Sequence, residues 1–408
     1  MIDLSQLSPM MQHYMETKKE YPDCILFYRL GDFYEMFFDD ALTVSKELEI
    51  TLTGKDCGLS ERAPMCGVPF HALDSYLYRL VQKGYKVAIA EQMEDPRQAK
   101  GLVKREVIRV VTPGTITSSQ VLDETKNNYL MGIVYMDGIY GISTADISTG
   151  DFMVTEVDSD RELFDEINKF SPSEIICNNA LYMSGVDMDE LKNRYQVVII
   201  SSLDSRFFGE ESCRRILMEH FKVGALVGLG LEDYATGIIA AGAVMQYIYE
   251  TQKSTLEHIT TVTPYSTGQY MVIDTSTRRN LELVETMREK QKRGTLLWVL
   301  DKTKTAMGAR LLRACIEQPL IHRDEIIRRQ NAVEELNMNY ISREEICEYL
   351  NPIYDLERLI GRISYKTANP RDLIAFRSSL EMLPYIKQIL GEFNSELLAE
   401  LGRELDPL

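Results

Sequence analysis

Apolar and polar positions change their spacing along this chain in a way that predicts three successive kinds of structure. The run Cys24-Ile25-Leu26-Phe27-Tyr28-Arg29-Leu30 reads as a strand, Gly31-Asp32 as a turn, and Asp39-Asp40 as the acidic start of a helix carrying Ala41-Leu42 and Leu48. Leu73, Tyr76, Leu77, Leu80 and Val81 then recur at helical spacing, Gly84 supplies a stop, and Tyr85 to Glu91 resumes as a strand. Residues 1–117 are therefore expected to form a small mixed α/β domain.

The polar piece Ser118-Ser119-Gln120-Val121-Leu122-Asp123-Glu124-Thr125 reads as a linker. After it, strand-like Tyr129 to Tyr135 and Ile139 to Asp146 flank Asp137-Gly138, a strong hairpin signal, and Phe152 to Thr155 adds another strand. Helix and strand patterns alternate through Leu163-Phe164-Ile167, Glu174-Ile175-Ile176 and Val197-Val198-Ile199-Ile200, so 124–250 is expected to be a second α/β domain. From about 233 the pattern becomes almost wholly helical, and an all-α region is assigned to 262–408. There Asn369 caps a helix opened by Pro370, Leu373, Phe376 and Leu380 line one face, and Leu356, Leu359, Ile360 and Ile363 do the same one helix earlier. Trp298 and the helically spaced methionines are taken as core.

Composition narrows the class. A chain of 408 residues with 45% hydrophobic content can bury two or three cores. Seven scattered cysteines without a Cys-x-x-Cys pair argue for reduced thiols and against a disulfide framework or a structural zinc site. Neither a signal peptide nor a membrane-spanning run is evident, so a cytoplasmic protein is expected. The net charge of −17 opposes a nucleic-acid role, yet residues 1–115 hold 14 Lys+Arg against 17 Asp+Glu, so most of the excess acid lies further on. Lys83, Lys86, Arg97, Lys100, Lys104, Arg105 and Arg109 make the end of the first domain locally basic. A solvated mixed-charge surface remains an open alternative for most of them. Were the chain to bind nucleic acid, weak nonspecific binding with strong salt dependence would be expected, with a larger share of the affinity from shape and stacking.

The most informative stretch is Gly31-Asp32-Phe33-Tyr34-Glu35-Met36-Phe37-Phe38-Asp39-Asp40. It sets an aromatic ring and a carboxylate two residues apart beside a turn. Aromatics near a strand end usually fill a core. Here Phe27, Phe37 and Phe38 can do so without Phe33, and extended backbone would send Tyr34 the other way, into the fold.

This segment resembles the mismatch-reading motif of the MutS family of bacterial DNA mismatch repair proteins. Met65-Cys66-Gly67-Val68-Pro69-Phe70-His71-Ala72, Ala88-Ile89-Ala90-Glu91-Gln92 and Val110-Val111-Thr112-Pro113-Gly114-Thr115 resemble the rest of that family's first domain. Asp274 to Glu282 and Thr305 to Leu312 resemble its central helical region. The resemblance implies a mismatch-recognition domain, a ribonuclease-H-like connector and an all-α lever. It also implies a minor-groove approach to mispaired bases or small insertion and deletion loops, with Phe33 as stacking wedge and Glu35 as base contact. A protonated Glu35 could donate to a purine ring nitrogen, and an ionised one could accept from an exposed imino N–H. Met65 is implied beside the lesion and Arg105 or Arg109 on the DNA backbone, with an ordinary fold role for these three left open. Arg278, Arg279 and Arg313 receive no chemistry.

No Gly-x-x-x-x-Gly-Lys-Ser/Thr sequence occurs, so no phosphate-cradling loop, ATP hydrolysis or cofactor is expected in this chain. The resemblance places ATP, Mg, the DNA clamp, most of the homodimer contact and an ATP-driven recruitment of a MutL-type partner in the intact family protein. This chain, ending in the lever at Leu408, is expected to be a monomeric N-terminal portion, no enzyme by itself. Two other readings stay open: a metal-dependent nuclease using Asp137, Asp146 and Asp151 of the second domain, and an acidic protein-interaction scaffold touching DNA incidentally.

Overall fold

The computed structural model describes residues 4–94, 103–118, 121–195, 197 and 199–407. Arg97 and Lys100 of the basic stretch, Ser119-Gln120 of the linker and Val198 of a predicted strand lie outside the described residues.

The first unit opens with α1 (Pro9–Glu20), β1 (Cys24–Leu30), β2 (Phe33–Phe37), α2 (Phe38–Leu48), β3 (Thr53–Lys55) and β4 (Ala63–Pro69). It continues with α3 (Leu73–Gln82), β5 (Lys86–Gln92) and β6 (Arg105–Val111). The six strands form one sheet in the order β3-β4-β2-β1-β5-β6. Its period-two alternation separates two cores. On one face Tyr34, Met36, Phe27 and Ile89 pack with Val44 and Leu48 of α2 and Leu80 of α3; on the other Phe37, Tyr28 and Leu26 pack with Met11 and Tyr14 of α1. Each fully buried side chain of this size contributes about 1.5–3 kcal/mol. Asp40 shows why the acidic start of α2 tolerates burial: its carboxylate accepts from Leu26 N at 2.9 Å and Tyr14 Oη at 3.2 Å and pairs with Lys18.

The second unit contains β7 (Leu130–Met136), β8 (Ile139–Asp146), β9 (Asp151–Val157), α4 (Asp160–Phe170), β10 (Glu174–Cys177), α5 (Asn179–Met183) and α6 (Met188–Tyr195). It ends with β11 (Ile199–Ser202), α7 (Glu210–Phe221), α8 (Ala235–Gln252) and β12 (Thr263–Pro264). Strands β7, β8 and β9 form an antiparallel meander, β10 and β11 extend it in parallel, and β12 pairs with β9. The Asp137-Gly138 turn has positive φ at both residues, 51° and 85°, as a tight two-residue hairpin requires. The helix expected from about 233 belongs to this unit. It is apolar on all sides because it is buried between the sheet and α7. It lies so close that a Cβ on Gly141 would stand 2.3 Å from the Thr236 carbonyl oxygen. The sheet thus runs to Pro264, past the expected limit at 250 and just past the expected start of the helical region at 262.

The two units share a junction made by the Thr112-Pro113-Gly114-Thr115 turn, which directly follows β6. Glu174 at the start of β10 is fully buried and accepts hydrogen bonds from Thr112 Oγ1, from Gly114 N at 3.0 Å and from Tyr247 Oη of α8 at 2.7 Å. Burial pushes its carboxyl above the ordinary range, against those three donors.

The helical unit comprises α9 (Thr275–Asn280), α10 (Leu296–Leu300), α11 (Ala306–Glu317), α12 (Arg323–Met338), α13 (Tyr340–Leu350), α14 (Leu356–Ser364), α15 (Pro370–Leu380), α16 (Leu383–Leu390) and α17 (Glu396–Glu404). Asn369 caps α15 as expected, its side chain accepting from Arg371 N and Asp372 N while the Asp372 carboxylate accepts from Asn369 N. Three expectations are corrected here. Trp298 is 49% exposed rather than core, Leu373, Ile360 and Ile363 are exposed, and Met338 projects into solvent. Helix α11 is anchored instead by buried Arg310, which donates to Asp355 Oδ2 at 2.7 Å and Oδ1 at 2.8 Å, to Glu357 at 2.6 Å and to the Glu124 carbonyl at 2.9 Å.

Candidate nucleic-acid interface

Residues Leu30 and Phe33 pair across the β1–β2 hairpin. Gly31, with φ +59°, occupies the first turn position, where side-chain-bearing residues are strained. Phe70 N closes the turn from the end of β4 by donating to the Asp32 carbonyl at 2.9 Å. Arg29 braces it from the other face: Nε donates to the Gly31 carbonyl at 2.5 Å, and the guanidinium lies 4.2 Å from the Phe70 ring centre. Phe33 therefore begins β2 at a fixed corner, yet 46% of it is exposed. Tyr34, one residue on, is buried with its hydroxyl on Glu91.

Glu35 follows on the same face as Phe33. Strand β4 lies alongside in antiparallel register, so Phe33 faces Pro69, Glu35 faces Gly67 and Phe37 faces Met65. Gly67 lets the Glu35 and Phe33 side chains lie against the neighbouring strand: a Cβ there would sit 3.3 Å from the Tyr34 carbonyl oxygen, 3.5 Å from Glu35 Cγ and 3.8 Å from Phe33 Cδ1. The Glu35 carboxylate accepts from Lys55 Nζ at 2.5 Å, and that ammonium also lies 5.5 Å from the Phe37 ring centre. The site is thus an exposed ring and a carboxylate held by one cation, side by side over a glycine of the next strand. Its neutral ring can meet an aromatic face, and its polar pair can exchange partners at a base edge.

Met65 belongs to this strip, half-buried at its inner end against Phe37. Arg105 shares the face but is spent on the fold. It is 6% exposed, donates to the Arg29 carbonyl at 2.8 Å and the Val103 carbonyl at 2.7 Å, and lies 5.1 Å from the Tyr28 ring centre. Arg109 points to the opposite face, 3.9 Å from Asp74 of α3. Neither guanidinium converges with Phe33. The other described cations of the basic stretch have acid partners too: Lys83 with Glu47, Lys86 with Asp23 and Lys104 with Glu106.

Comparison with known proteins fits this geometry. Residues 8–120 match the family model described as MutS domain I, 128–260 match MutS domain II and 276–407 match MutS domain III. The chain is 64% identical over 405 residues to the DNA mismatch repair protein MutS of Lachnoclostridium phytofermentans, covering 99% of this chain and 43% of that relative. It is 51% identical over 408 residues to the protein of the same name from Ruminiclostridium cellulolyticum, covering 99% of this chain and 46% of that relative. The chain belongs to the MutS family. It carries the family's first three domains in order and spans less than half the length of these relatives.

Within the MutS domain II match, the three aspartates do not meet. Asp137 occupies the hairpin turn, and the length of β8 from Ile139 to Asp146, about 24 Å at roughly 3.4 Å per residue, separates it from Asp146. Asp146 is buried and accepts from Asn127 Nδ2, Asn128 N, Ser148 N and Ser148 Oγ at 2.7–3.0 Å. Asp151 accepts from Asn127 at 2.9 Å, and desolvation together with the Asp146 and Glu357 carboxylates pushes it up to about 6. This is a structural knot at the domain junction, and it does not supply three converging carboxylates. Sequence reasoning missed Lys55 and Gly67 as parts of this strip and Arg29 as the brace behind its turn. Only Gly67 carried a local signal, as a glycine inside an otherwise strand-compatible run.

Proposed function

We propose that this chain recognises mispaired bases and small insertion or deletion loops in duplex DNA, with Phe33 as the inserted ring and Glu35 as the base contact. The exposure of Phe33 on a strand whose next residue is buried supports this reading most strongly. Two residues of a strand advance about 6.8 Å, twice the 3.4 Å rise between stacked bases. A ring entering one step therefore leaves the Glu35 carboxylate level with a neighbouring base edge. Opening a correctly stacked step costs about a few kcal/mol, and a mispair has already lost part of that stacking. Stacking on the ring returns about 1–3 kcal/mol. The net balance favours faulty pairing without a reading of every base. Met65 lines the inner end of the strip. Arg105 acts through the Arg29 carbonyl and Tyr28, and Arg109 is assigned to the domain's opposite face.

Lys55 gives Glu35 a resting partner. Contact with a base edge exchanges the Lys55 bond for a base bond, so an unsuitable edge leaves the ion pair intact. The ATP, Mg and clamp functions, the homodimer and the MutL-type partner are assigned to the longer family protein. No Gly-x-x-x-x-Gly-Lys-Ser/Thr sequence occurs in these 408 residues to hold a nucleotide in that manner. The proposed setting is the cytoplasm, on nucleoid DNA.

The test compares matched and mismatched duplexes at two salt concentrations. Phe33→Ala is expected to remove the preference for heteroduplex, and Glu35→Ala to change which mispairs are preferred. Equal affinity of the unaltered chain for both DNAs would favour the interaction-scaffold reading, and magnesium-dependent cleavage would favour the nuclease.

A further inference from the structure

Arginines 278, 279 and 313, singled out in the sequence and unused by the recognition strip, meet at a cavity of about 600 Å3. It lies where the segment Lys126 to Tyr129 and the C-terminal end of α4 face α9, α11 and the loop carrying Lys290. Two further cations at its wall are committed elsewhere, Arg310 to Asp355 and Glu357 and Lys169 to Glu166. Five remain: Lys126, Arg278, Arg279, Lys290 and Arg313. Two carboxylates, Glu285 and Glu317, line the same space.

The pairing inside is incomplete. Arg278 has a nine-tenths buried side chain whose Nη2 donates to the Glu317 carbonyl at 3.1 Å. Its Nη1 stands 3.6 Å from Glu317 Oε1, and both Nη1 and Nε are buried without a hydrogen-bond acceptor. Asn168 Nδ2, from α4, is a third buried donor at this wall without an acceptor. Buried N–H groups of this kind are normally satisfied. Lys126 is exposed, yet desolvation by the surrounding protein together with the Arg313 charge pulls its ammonium below the ordinary range. Glu317 is held above the ordinary carboxylate range by burial, despite Arg313, Arg278 and Lys126. Five cations thus face two carboxylates in this space, and three buried N–H donors at its wall have no acceptor.

We propose that this cavity binds a small, multiply charged phosphate anion through its di- or triphosphate group, with the Arg278, Arg279 and Arg313 guanidiniums as forks and Lys126 and Lys290 as point charges. Planar guanidiniums match phosphate oxygens two at a time, whereas ammonium groups neutralise charge from any direction. The volume suits a small ligand. It excludes a duplex, whose major groove alone is about 12 Å wide. Because the cavity is bounded by connector and lever elements, an occupied site would tie the two units together at a place remote from Phe33. The inference does not rest on the mismatch reading.

The test is calorimetric titration of the 408-residue chain with sodium pyrophosphate and sodium tripolyphosphate, chloride holding the ionic strength constant. One saturable site is expected, with a raised melting temperature. Arg278→Ala and Lys290→Gln should each weaken binding about tenfold or more, and Glu317→Gln should tighten it. Lys290 is exposed, so its replacement keeps the test open should Arg278→Ala fail to fold. Arg377→Gln, on the exposed face of α15, should change nothing. A nucleoside triphosphate binding more tightly than tripolyphosphate would identify a base-bearing ligand, and equal affinity a bare phosphate chain; either supports the site. Absence of saturable binding, or binding unchanged in both Arg278→Ala and Lys290→Gln, would overturn it. Duplex DNA binding lost in those variants but uncontested by either probe would also overturn it and reassign the arginines to a DNA backbone.

Discussion

Glu35 and Glu174 sit on sheet strands less than a domain apart, yet their surroundings are opposite. Glu35 is part-buried, with the partly exposed Lys55 ammonium on one side and the Gly67 backbone on the other. Glu174 is sealed among two hydroxyls and a backbone N–H, with no cation in direct contact. A carboxylate that must change partners is better served by one exchangeable ion pair at solvent. A carboxylate that must not move is better served by several fixed donors. The comparison separates a single, partly exposed ion pair from a sealed junction with several fixed donors.

Removing the sealed carboxylate should have the largest effect. Glu174→Ala would strand three buried donors, each costing about 1–3 kcal/mol. A loss of at least about 3 kcal/mol is expected in denaturant unfolding, with faster proteolysis between residues 115 and 130. A near-neutral result would mean the two units do not depend on the junction. Glu174→Gln should recover most of the stability, since an amide oxygen still accepts and a charge no longer needs burial.

At the open edge the effects should appear in binding. Phe33→Ala should cost about 1–3 kcal/mol on mismatched DNA, while the melting temperature stays near that of the parent because half the ring is already exposed. If the variant instead unfolded early and lost every duplex equally, the ring would be a packing residue. Lys55→Gln should lower stability by less than about 1 kcal/mol, as expected for a pair near solvent. It should also shift mispair preference in competition assays, in a smaller measure than Glu35→Ala. An unchanged spectrum would separate the ion pair from recognition.

The smallest effect concerns pH. Asp151 has a folded-state value of about 6, above its ordinary 3.8, so between those values the folded protein holds a proton that the unfolded chain releases. Its contribution to stability is therefore greatest at acid pH and declines as pH rises through that window. Asp151→Asn should flatten this segment of the melting-temperature profile. A profile superimposable on the parent's would remove the assignment.

Much of the Phe33–Glu35 strip was legible in the sequence, because strand period, a Gly-Asp turn and an aromatic-x-acid pair are local properties. Opposite faces for Phe33 and Tyr34 follow from that period, and Phe33 is exposed where Phe37 on the same face is not because it sits at the turn end of β2. Lys55 was not legible: it reaches Glu35 from β3 only after β4 has inserted beside β2. Arg105 and Arg109 share parity in sequence, but the register shift at Ile89/Ala90 sends Arg105 and Val107 toward α1 and Arg109 and Val111 toward α3. A bulge of this kind leaves no mark in a simple alternation. Trp298 was misread as core because residue type stood in for neighbours, and the helical unit leaves Leu296, Trp298, Val299 and Leu300 exposed together. The clasp at Glu174 depends on long-range partners, although Thr112-Pro113-Gly114-Thr115 was visible as a motif.

The Thr112 turn begins at the residue after β6 ends, with no slack between the sheet that carries Phe33 and the carboxylate that fastens it. A force on the Phe33 corner has a stiff route through that sheet to β10 and, by way of Tyr247, into α8. The first domain is mounted less like a probe on a string than like a key on a shaft, so a load at its tip should register as strain in the second unit.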